Sequence, residues 1–373
     1  MGRLTIEIID SIRKLRDRAA DWDDLWMRSS VENPLAHAEP IALWMDRFAP
    51  DAPFQSLAVQ EGGRLVAALP LLGQRKAKIV SAGINPSNGW SHCGQLLVDW
   101  TNPEKSKEYL DALVCGFKKL PFSILWLDEI RFENPEWVLF RETLQTRRIA
   151  SQWLPRYHSA VFPLGGSFDE LKLTWKKKAA NRLFSLLKRY EARGYSFEVL
   201  ESPAEIRENL FACFELENLG WKGNQEKGGS IIKRNVSQYF CSLLDFLASK
   251  GMLKLVLLYC EDRLIAFRFS LMGKSTGYSI KTSYDPAYRD LAPGQVILCL
   301  LNRHICENVP NIRHFDLYGE IGDHQRIWNS QERITGQIVL SVNGIVGKTF
   351  YFLYDKVMPV VRKIHAKKRL PSD

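Results

Sequence analysis

The feature that most constrains the fold is a recurrence. FQSLAVQEGGRLVAALPLL, from Phe54 to Leu72, and KLVLLYCEDRLIAFRFSLM, from Lys254 to Met272, share one design. Each is an apolar strand, a polar turn, and then Arg-Leu-aliphatic-Ala opening a second strand, so that Arg64-Leu65-Val66-Ala67 returns as Arg263-Leu264-Ile265-Ala266. Alternating or continuous apolar runs broken by a short polar turn read as β-hairpins. The order around each hairpin also repeats. A helical stretch precedes it, and a later helix leads into a strand that closes on acidic residues, FSILWLDEI in the first half and IRHFDLYGE in the second. Two copies of one α/β unit are expected, joined near SQWLPRYHSAVFPLGG.

At 373 residues the chain exceeds one ordinary core, which favours two domains, set here at 1–155 and 156–373. With 46% hydrophobic and 25% charged residues it has the composition of a globular protein, not a disordered or fibrous one.

In the second half, Ser167 with Glu170 predicts a capping box opening one long helix, LKLTWKKKAANRLFSLLKRYEARG, which Gly194 closes. Ser202 with Glu205, and Pro203 at the first helical position, predict a second box before PAEIRENLFACFELENLGW. The tail is expected to turn at Asn343-Gly344 into a mixed helix, KTFYFLYDKVMPVVRKIHAKK.

Between these parts, KTSYDPAYRDLAPGQVILCLL runs from strand through a short loop into a helix whose Val296, Ile297, Leu300, Leu301 and Ile305 share one face. Such a loop brings a helix N-terminus to a strand end, where unbonded N–H groups and the helix dipole favour an anion. It is a candidate seat for a phosphate or carboxylate.

Strand, loop with Arg-x-x-Ala-x-Gly from Arg289 to Gly294, amphipathic helix, strand: this order resembles the acetyl-CoA-binding core of the GNAT acetyltransferases. Two such units in tandem are typical of the FemAB-like group. Within it, YDPAYRDLAPGQVILCLL, KKKAANRLFSLLKRYEARG and FELENLGW resemble the CelD-like family associated with cellulose and exopolysaccharide biosynthesis. The resemblance runs from about Trp22 to Trp328 and implies two tandem GNAT-like α/β units, each a mixed, mostly antiparallel sheet flanked by helices. It also implies acyl-CoA as co-substrate, wedged between two splayed strands, and direct attack by an amine or hydroxyl acceptor related to sugars, glycolipids or polysaccharides.

In the family, successive loop amides hold the pyrophosphate of coenzyme A. Here Ala292 replaces the first glycine and Pro293 has no N–H. The donors left are Gly294, Gln295 and Val296, with Arg289 as cation and Tyr288 beside it. The first unit lacks such a loop and is expected to be scaffold or substrate wall.

Acyl transfer needs a base for the acceptor's proton and an acid for the departing thiolate. Glu217 is a candidate base, because Phe214 and Trp221 flank it at helical spacing. Asp316 is another, being a charge inside a strand that reads as buried. The alternatives are a solvated helix carboxylate and a structural pair with a nearby cation. Tyr318 and Tyr284 are candidate acids and His324 a further base, set against plain rim packing and a solvated loop histidine. Asn88, Trp90 and His92 would line a sugar groove if that segment is extended. The adjacent His92 and Cys93 point in opposite directions on an extended chain, so they do not read as base and nucleophile.

The net charge of +9 and pI near 9.1 suit nucleic acid, an anionic membrane, a phosphorylated cofactor, or merely a solvated surface. The densest basic segment holds Lys176, Lys177, Lys178 and Arg182, a face for tRNA, anionic lipid or an acidic polymer, with Lys177, Arg182 and Trp221 named as substrate contacts. No signature of sequence-specific DNA reading accompanies it. The seven cysteines are scattered with no CxxC, so neither a disulfide framework nor a metal site is expected. With no leader or membrane-spanning pattern, a cytoplasmic protein that visits the inner membrane face is expected. Two other functions fit the same residues: a FemAB-like transfer from aminoacyl-tRNA, and a non-catalytic module that retains only the fold.

Overall fold

A computed structural model describes residues 3–192, 194–223, 229–322, 328 and 330–356. The chain divides into two compact units, 1–31 with 35–156 and 334–373, and 32–34 with 157–333.

In the first unit the strands are β1 (Leu4–Ile9), β2 (Phe54–Glu61), β3 (Arg64–Lys76), β4 (Val80–Ile84), the short β5 (Ser87–Asn88), β6 (Ser91–His92) and β7 (Leu97–Val98), and β8 (Ile124–Arg131). Its helices are α1 (Ile12–Asp17), α2 (Ala19–Arg28), α3 (Ala38–Phe48), α4 (Pro103–Cys115) and α5 (Pro135–Thr146). The second unit takes most of β9 (Ser151–Pro163), then α6 (Phe168–Thr174), α7 (Lys177–Glu191), β10 (Tyr195–Leu200), α8 (Pro203–Leu219) and α9 (Ser237–Ser249). It continues through β11 (Leu253–Cys260), β12 (Arg263–Met272), β13 (Thr276–Tyr284), α10 (Pro293–Asn308) and β14 (His314–Glu320). The chain then returns to the first unit in β15 (Gln331–Ser341) and α11 (Gly344–Lys356).

Each unit is a mixed, mostly antiparallel sheet flanked by helices, and the two sheets have the same plan. In the first unit the order is β1-β2-β3-β4-β8-β15; in the second, β9-β14-β13-β12-β11-β10 runs through equivalent strands. The recurring Arg-Leu-aliphatic-Ala segments occupy matching registers. Val59 faces Ala67 and Glu61 faces Arg64, as Leu258 faces Ala266 and Cys260 faces Arg263, with a register shift at the same place in both hairpins. In each unit one parallel pair breaks the antiparallel run, β4 with β8 and β13 with β14, bridged by α4 and by α10. Parallel neighbours require such a crossover.

The cores follow from apolar faces laid on these sheets. Leu110, Leu113, Trp137 and Phe140 of α4 and α5 are buried with Leu57, Leu69 and Leu127 in the first unit. Val296, Ile297, Leu301 and Ile305 of α10 are buried with Phe162, Ile265 and Phe315 in the second. Each such side chain contributes about 1.5–3 kcal/mol.

Three expectations about elements change. The segment from 334 onward lies in the first unit, not the second, because β15 pairs antiparallel with β8, Thr335 facing Arg131 and Ser341 facing Ile124. The long basic helix is two helices: Ser167 and Glu170 do form their capping box, but Trp175 is extended (φ −77°, ψ 150°) and ends α6. Its indole is buried edge-on against Trp328 with centroids 4.9 Å apart, and beside Phe168 and Phe184. Burying that ring outweighs continuing the helix. Ser202 stands at the N-cap of α8, yet its side chain makes no capping hydrogen bond.

Candidate functional site

The parallel pairing of β13 with β14 is short. Thr276 faces His314, Gly277 faces Phe315, Tyr278 faces Asp316, and beyond that the strands part, although β13 continues to Tyr284 and β14 to Glu320. Close approach at the paired end requires Gly277, where a Cβ would stand 2.8 Å from the Phe315 ring. Asp316 produces the divergence. It is buried, and its Oδ1 accepts the Tyr318 N–H at 2.7 Å, bending β14 so that Tyr318 takes φ +58° and the pairing with β9 shifts between Asp316 and Glu320. A carboxylate bonding its own strand's backbone in this way sets a bulge.

The loop from Tyr284 to Pro293 is built by local chemistry. Asp285 is buried, accepts the Ala287 N–H at 2.9 Å and pairs with Arg263 at 2.5 Å, which starts the 3-10 turn Pro286–Leu291. Arg289 is exposed on that turn and has no carboxylate partner among the described residues, while Tyr288 lies against Arg263. Ala292 then adopts the left-handed conformation, φ 47° and ψ 50°, as N-cap of α10. This is the position where the family pattern has glycine, and an L-residue there costs about 1 kcal/mol.

Of the three amides expected to meet an anion, one is left. Gln295 and Val296 donate to the Ala292 carbonyl at 2.9 and 3.2 Å, the N-cap carbonyl accepting the first bonds of the helix as in any α-helix. Gly294 keeps an N–H with no backbone acceptor among the described residues, and a Cβ there would meet only Tyr284, at 3.8 Å. Tyr284 therefore walls the seat.

Sequence reading missed Arg268. It is buried on β12, donates to Ser279 Oγ and, at 3.4 Å, to the Gly294 carbonyl, and its Nε has no partner among the described residues. No carboxylate among the described residues pairs with it, and burial pulls its guanidinium down to about 10. A buried cation without a counter-ion is costly, and the N-terminus of α10 adds positive potential beside it. The only signal was an Arg within the apolar run FRFSLM.

A second cluster forms around Glu217, which is completely buried near the end of α8. Its Oε1 is 3.4 Å from Lys281 Nζ and 3.3 Å from Lys222 Nζ, and its Oε2 accepts the Ile231 N–H at 2.9 Å. Burial, aided by Lys222 and opposed by Glu217, pushes the Lys281 ammonium down to about 8. Its Nζ also lies over the Phe240 ring, 5.7 Å from the centroid. The expected helical relation to Trp221 does not hold. The helix stops at Leu219, Gly220 caps it, and Trp221 opens a separate 3-10 turn.

Tyr318 and Tyr278 meet edge-on with centroids 5.9 Å apart, and the Tyr318 hydroxyl accepts from Asn33 Nδ2 at 3.0 Å. Lys177 and Arg182 are exposed on α7, whose Leu183, Leu186 and Tyr190 face the core. His324 lies outside the described residues.

In the first unit, Asn88, Trp90 and His92 do not form one row. They belong to the tight hairpin β5–β6, in which Ser87 faces His92 and Asn88 faces Ser91. Asn88 Oδ1 accepts the Trp90 and Ser91 N–H groups at 2.9 and 3.2 Å, making the turn, and alternation directs Asn88 and His92 to opposite sides. His92 approaches Glu129 at 3.6 Å, and Cys93 Sγ lies 2.9 Å from Ser91 Oγ. The helix equivalent to α10 is α4, and its N-terminus is closed: Asn102 Oδ1 accepts from Glu104 and Lys105, and Glu104 occupies the first turn.

No group of three or more His, Cys, Asp or Glu suited to a metal ion occurs among the described residues. No helix among them is long and apolar enough to cross a membrane.

Residues 177–326 match a family model described as an acetyltransferase (GNAT) domain. No curated protein sequence matches the chain. Among solved structures, FemX superimposes with TM-score 0.64 at 13% identity, over 91% of this chain and 98% of that one. A conserved protein of unknown function from Bacteroides thetaiotaomicron gives 0.56 at 14%, over 90% and 100%. The C-terminal domain (DUF2156) of an Agrobacterium fabrum protein described as a lysylphosphatidylglycerol synthetase gives 0.55 at 12%, over 89% and 94%. These are similarities of fold. The chain is a pair of GNAT-like α/β units, and the stretch that matches the GNAT acetyltransferase model lies in the second of them.

Proposed function

We propose that the second unit transfers an acyl group, acetyl in the simplest case, from acyl-coenzyme A to an amine or hydroxyl of a sugar, glycolipid or polysaccharide precursor in the cytoplasm. The observation that carries this reading is the parting of β13 from β14 beside the uncapped N-terminus of α10. In it, the Gly294 N–H and Arg289 meet the pyrophosphate, Arg268 supplies positive potential from beneath, and Tyr284 lines the carrier. Closure of the equivalent helix by Asn102 supports a scaffold role for the first unit.

In this mechanism the acceptor's lone pair attacks the thioester carbon and the C–S bond breaks. Lys281 takes the acceptor's proton. A lysine brought down to about 8 has a useful neutral fraction near physiological pH, and Glu217 positions it. Tyr318, held by Asn33, protonates the departing thiolate. Asp316 maintains the bend that places Tyr318.

The test is titration calorimetry with acetyl-CoA and a longer acyl-CoA, on the wild type and on Gly294→Trp. The space at Gly294 and its ordinary backbone conformation let the variant fold. Micromolar binding that disappears in the variant supports the reading, whereas wild-type protein that binds neither thioester refutes it.

One observation favours a second reading, transfer from aminoacyl-tRNA. Only one amide remains at the loop, while Lys176, Lys177, Lys178 and Arg182 stand exposed at the positive end of α7, where cations are unfavourable without an anionic partner. A salt-sensitive RNA complex, weakened by Lys177→Glu, would favour it. A non-catalytic module would instead tolerate Lys281→Met and Tyr318→Phe with function intact.

A further inference from the structure

The first unit exposes apolar side chains in a pattern that its own fold does not use. Along α11, Ile345, Val346, Phe352 and Leu353 are 80%, 50%, 60% and 49% exposed. With Thr349 they recur at helical spacing and form one stripe. The opposite face is spent on the fold: Gly347 is buried, Tyr354 packs edge-on against Trp126 at 5.2 Å, and Phe350 joins Val80, Ala82 and Ile124. α11 is thus a helix apolar on both sides, one of them exposed among the described residues.

A second exposed apolar side chain stands next in sequence to the same cluster. Ile79, at the tip of the β3–β4 hairpin, is 74% exposed and adjoins Val80, which packs with Phe350 of α11. Lys76 of that hairpin lies 4.8 Å from the centre of the Trp126 ring, the ring that Tyr354 abuts. Cations surround these groups. Arg75 and Lys78 are exposed at the tip and Lys348 on α11. Beyond α11 the sequence is basic: from 357 to 373 it holds Arg362, Lys363, Lys367, Lys368 and Arg369 against one acidic residue, Asp373.

We infer that α11, with the Ile79 hairpin tip, is a docking surface for an anionic lipid bilayer. Exposed apolar side chains beside lysines and arginines match the two halves of a membrane interface, acyl chains beneath and negative headgroups above. A second copy of this chain would bring a face of the same positive sign and be repelled, which argues against self-association through the stripe. The inference differs from a lipid role for the basic segment around Lys177 and Arg182, whose exposed face is charged but carries no comparable apolar stripe. It is independent of the acyl-transfer reading.

The test is co-sedimentation of the full chain with vesicles of phosphatidylcholine alone and of phosphatidylcholine mixed with phosphatidylglycerol, at low and physiological salt. Binding is expected only with phosphatidylglycerol present. It should weaken about ten-fold or more in the double variant Phe352→Gln/Leu353→Gln and about five-fold in Lys78→Ala. All three side chains are exposed, so far-UV circular dichroism and the melting temperature should match the wild type. Equal binding to neutral vesicles, no binding to either kind, or unchanged binding by a folded double variant would each overturn the inference. So would light scattering showing that the wild type is an oligomer which the double variant dissociates, since the stripe would then be a protein interface.

Discussion

The Arg268 guanidinium donates to the Gly294 carbonyl at 3.4 Å, so a buried cation without a counter-ion sits beneath the end of α10 where the helix dipole is also positive. Two like-signed features at one place cost stability in the empty protein and favour an anionic ligand. Arg268→Met should therefore leave stability unchanged or raise it by about 1 kcal/mol or more, while acyl-CoA affinity falls about ten-fold or more. Urea unfolding and calorimetry on one preparation check both signs. Loss of stability together with unchanged affinity would make Arg268 purely structural.

Lys281 makes stability depend on alkaline pH. Its folded value, about 8, lies below the ordinary lysine value of 10.5, so the unfolded chain binds more protons between these limits. The penalty of burying the charge is fully present below about pH 8 and fades as pH rises toward 10.5. Between those values this residue should add about 3 kcal/mol of stability, a rise that Lys281→Met abolishes. Unfolding free energies of wild type and variant across that range supply the comparison.

Glu217 holds two lysines and the Ile231 amide. Its removal leaves two half-buried ammonium groups without their shared carboxylate and the Ile231 N–H without its acceptor, so Glu217→Ala should cost about 3 kcal/mol. Glu217→Gln, which keeps the shape and can still accept the Ile231 N–H, should cost less. If chemical denaturation finds the two variants equal, the ion pairs contribute nothing beyond the hydrogen bond.

Among the described residues, Ala292 is the one non-glycine residue whose left-handed conformation caps the start of a helix. Ala292→Gly should raise stability by about 1 kcal/mol. Because the cap geometry is already present, acyl-CoA affinity should stay within about two-fold. A melting temperature below that of the wild type would contradict the assigned backbone.

Tyr318→Phe removes the hydroxyl that Asn33 holds. If that hydroxyl protonates the thiolate, kcat should fall about 100-fold with little change in acyl-CoA affinity, and Asn33→Ala should give a smaller fall in the same parameter. Steady-state kinetics together with acyl-CoA titration separate this from a packing defect, which would move both quantities.

Features set by neighbours in the chain were legible in the sequence. The Ser167–Glu170 box, the positive φ of Gly194 and Gly344, Pro293 opening α10 and the matched hairpins at Arg64 and Arg263 each depend on a few adjacent residues and on strand or helix periodicity. The plan of two repeated α/β units followed from them. Only the tertiary structure decided which sheet receives β15, that Trp175 breaks a helical pattern to reach Trp328, and that α4 closes its own N-terminus while α10 does not. It also brought Lys281 and Lys222 to Glu217, and Arg268 to Gly294, across sequence separations of 64, 5 and 26 residues. The reason is physical. A cap or a turn is stabilised by bonds within its own segment, whereas the value of a buried charge depends on which distant groups the sheet brings beside it, and no local pattern encodes that.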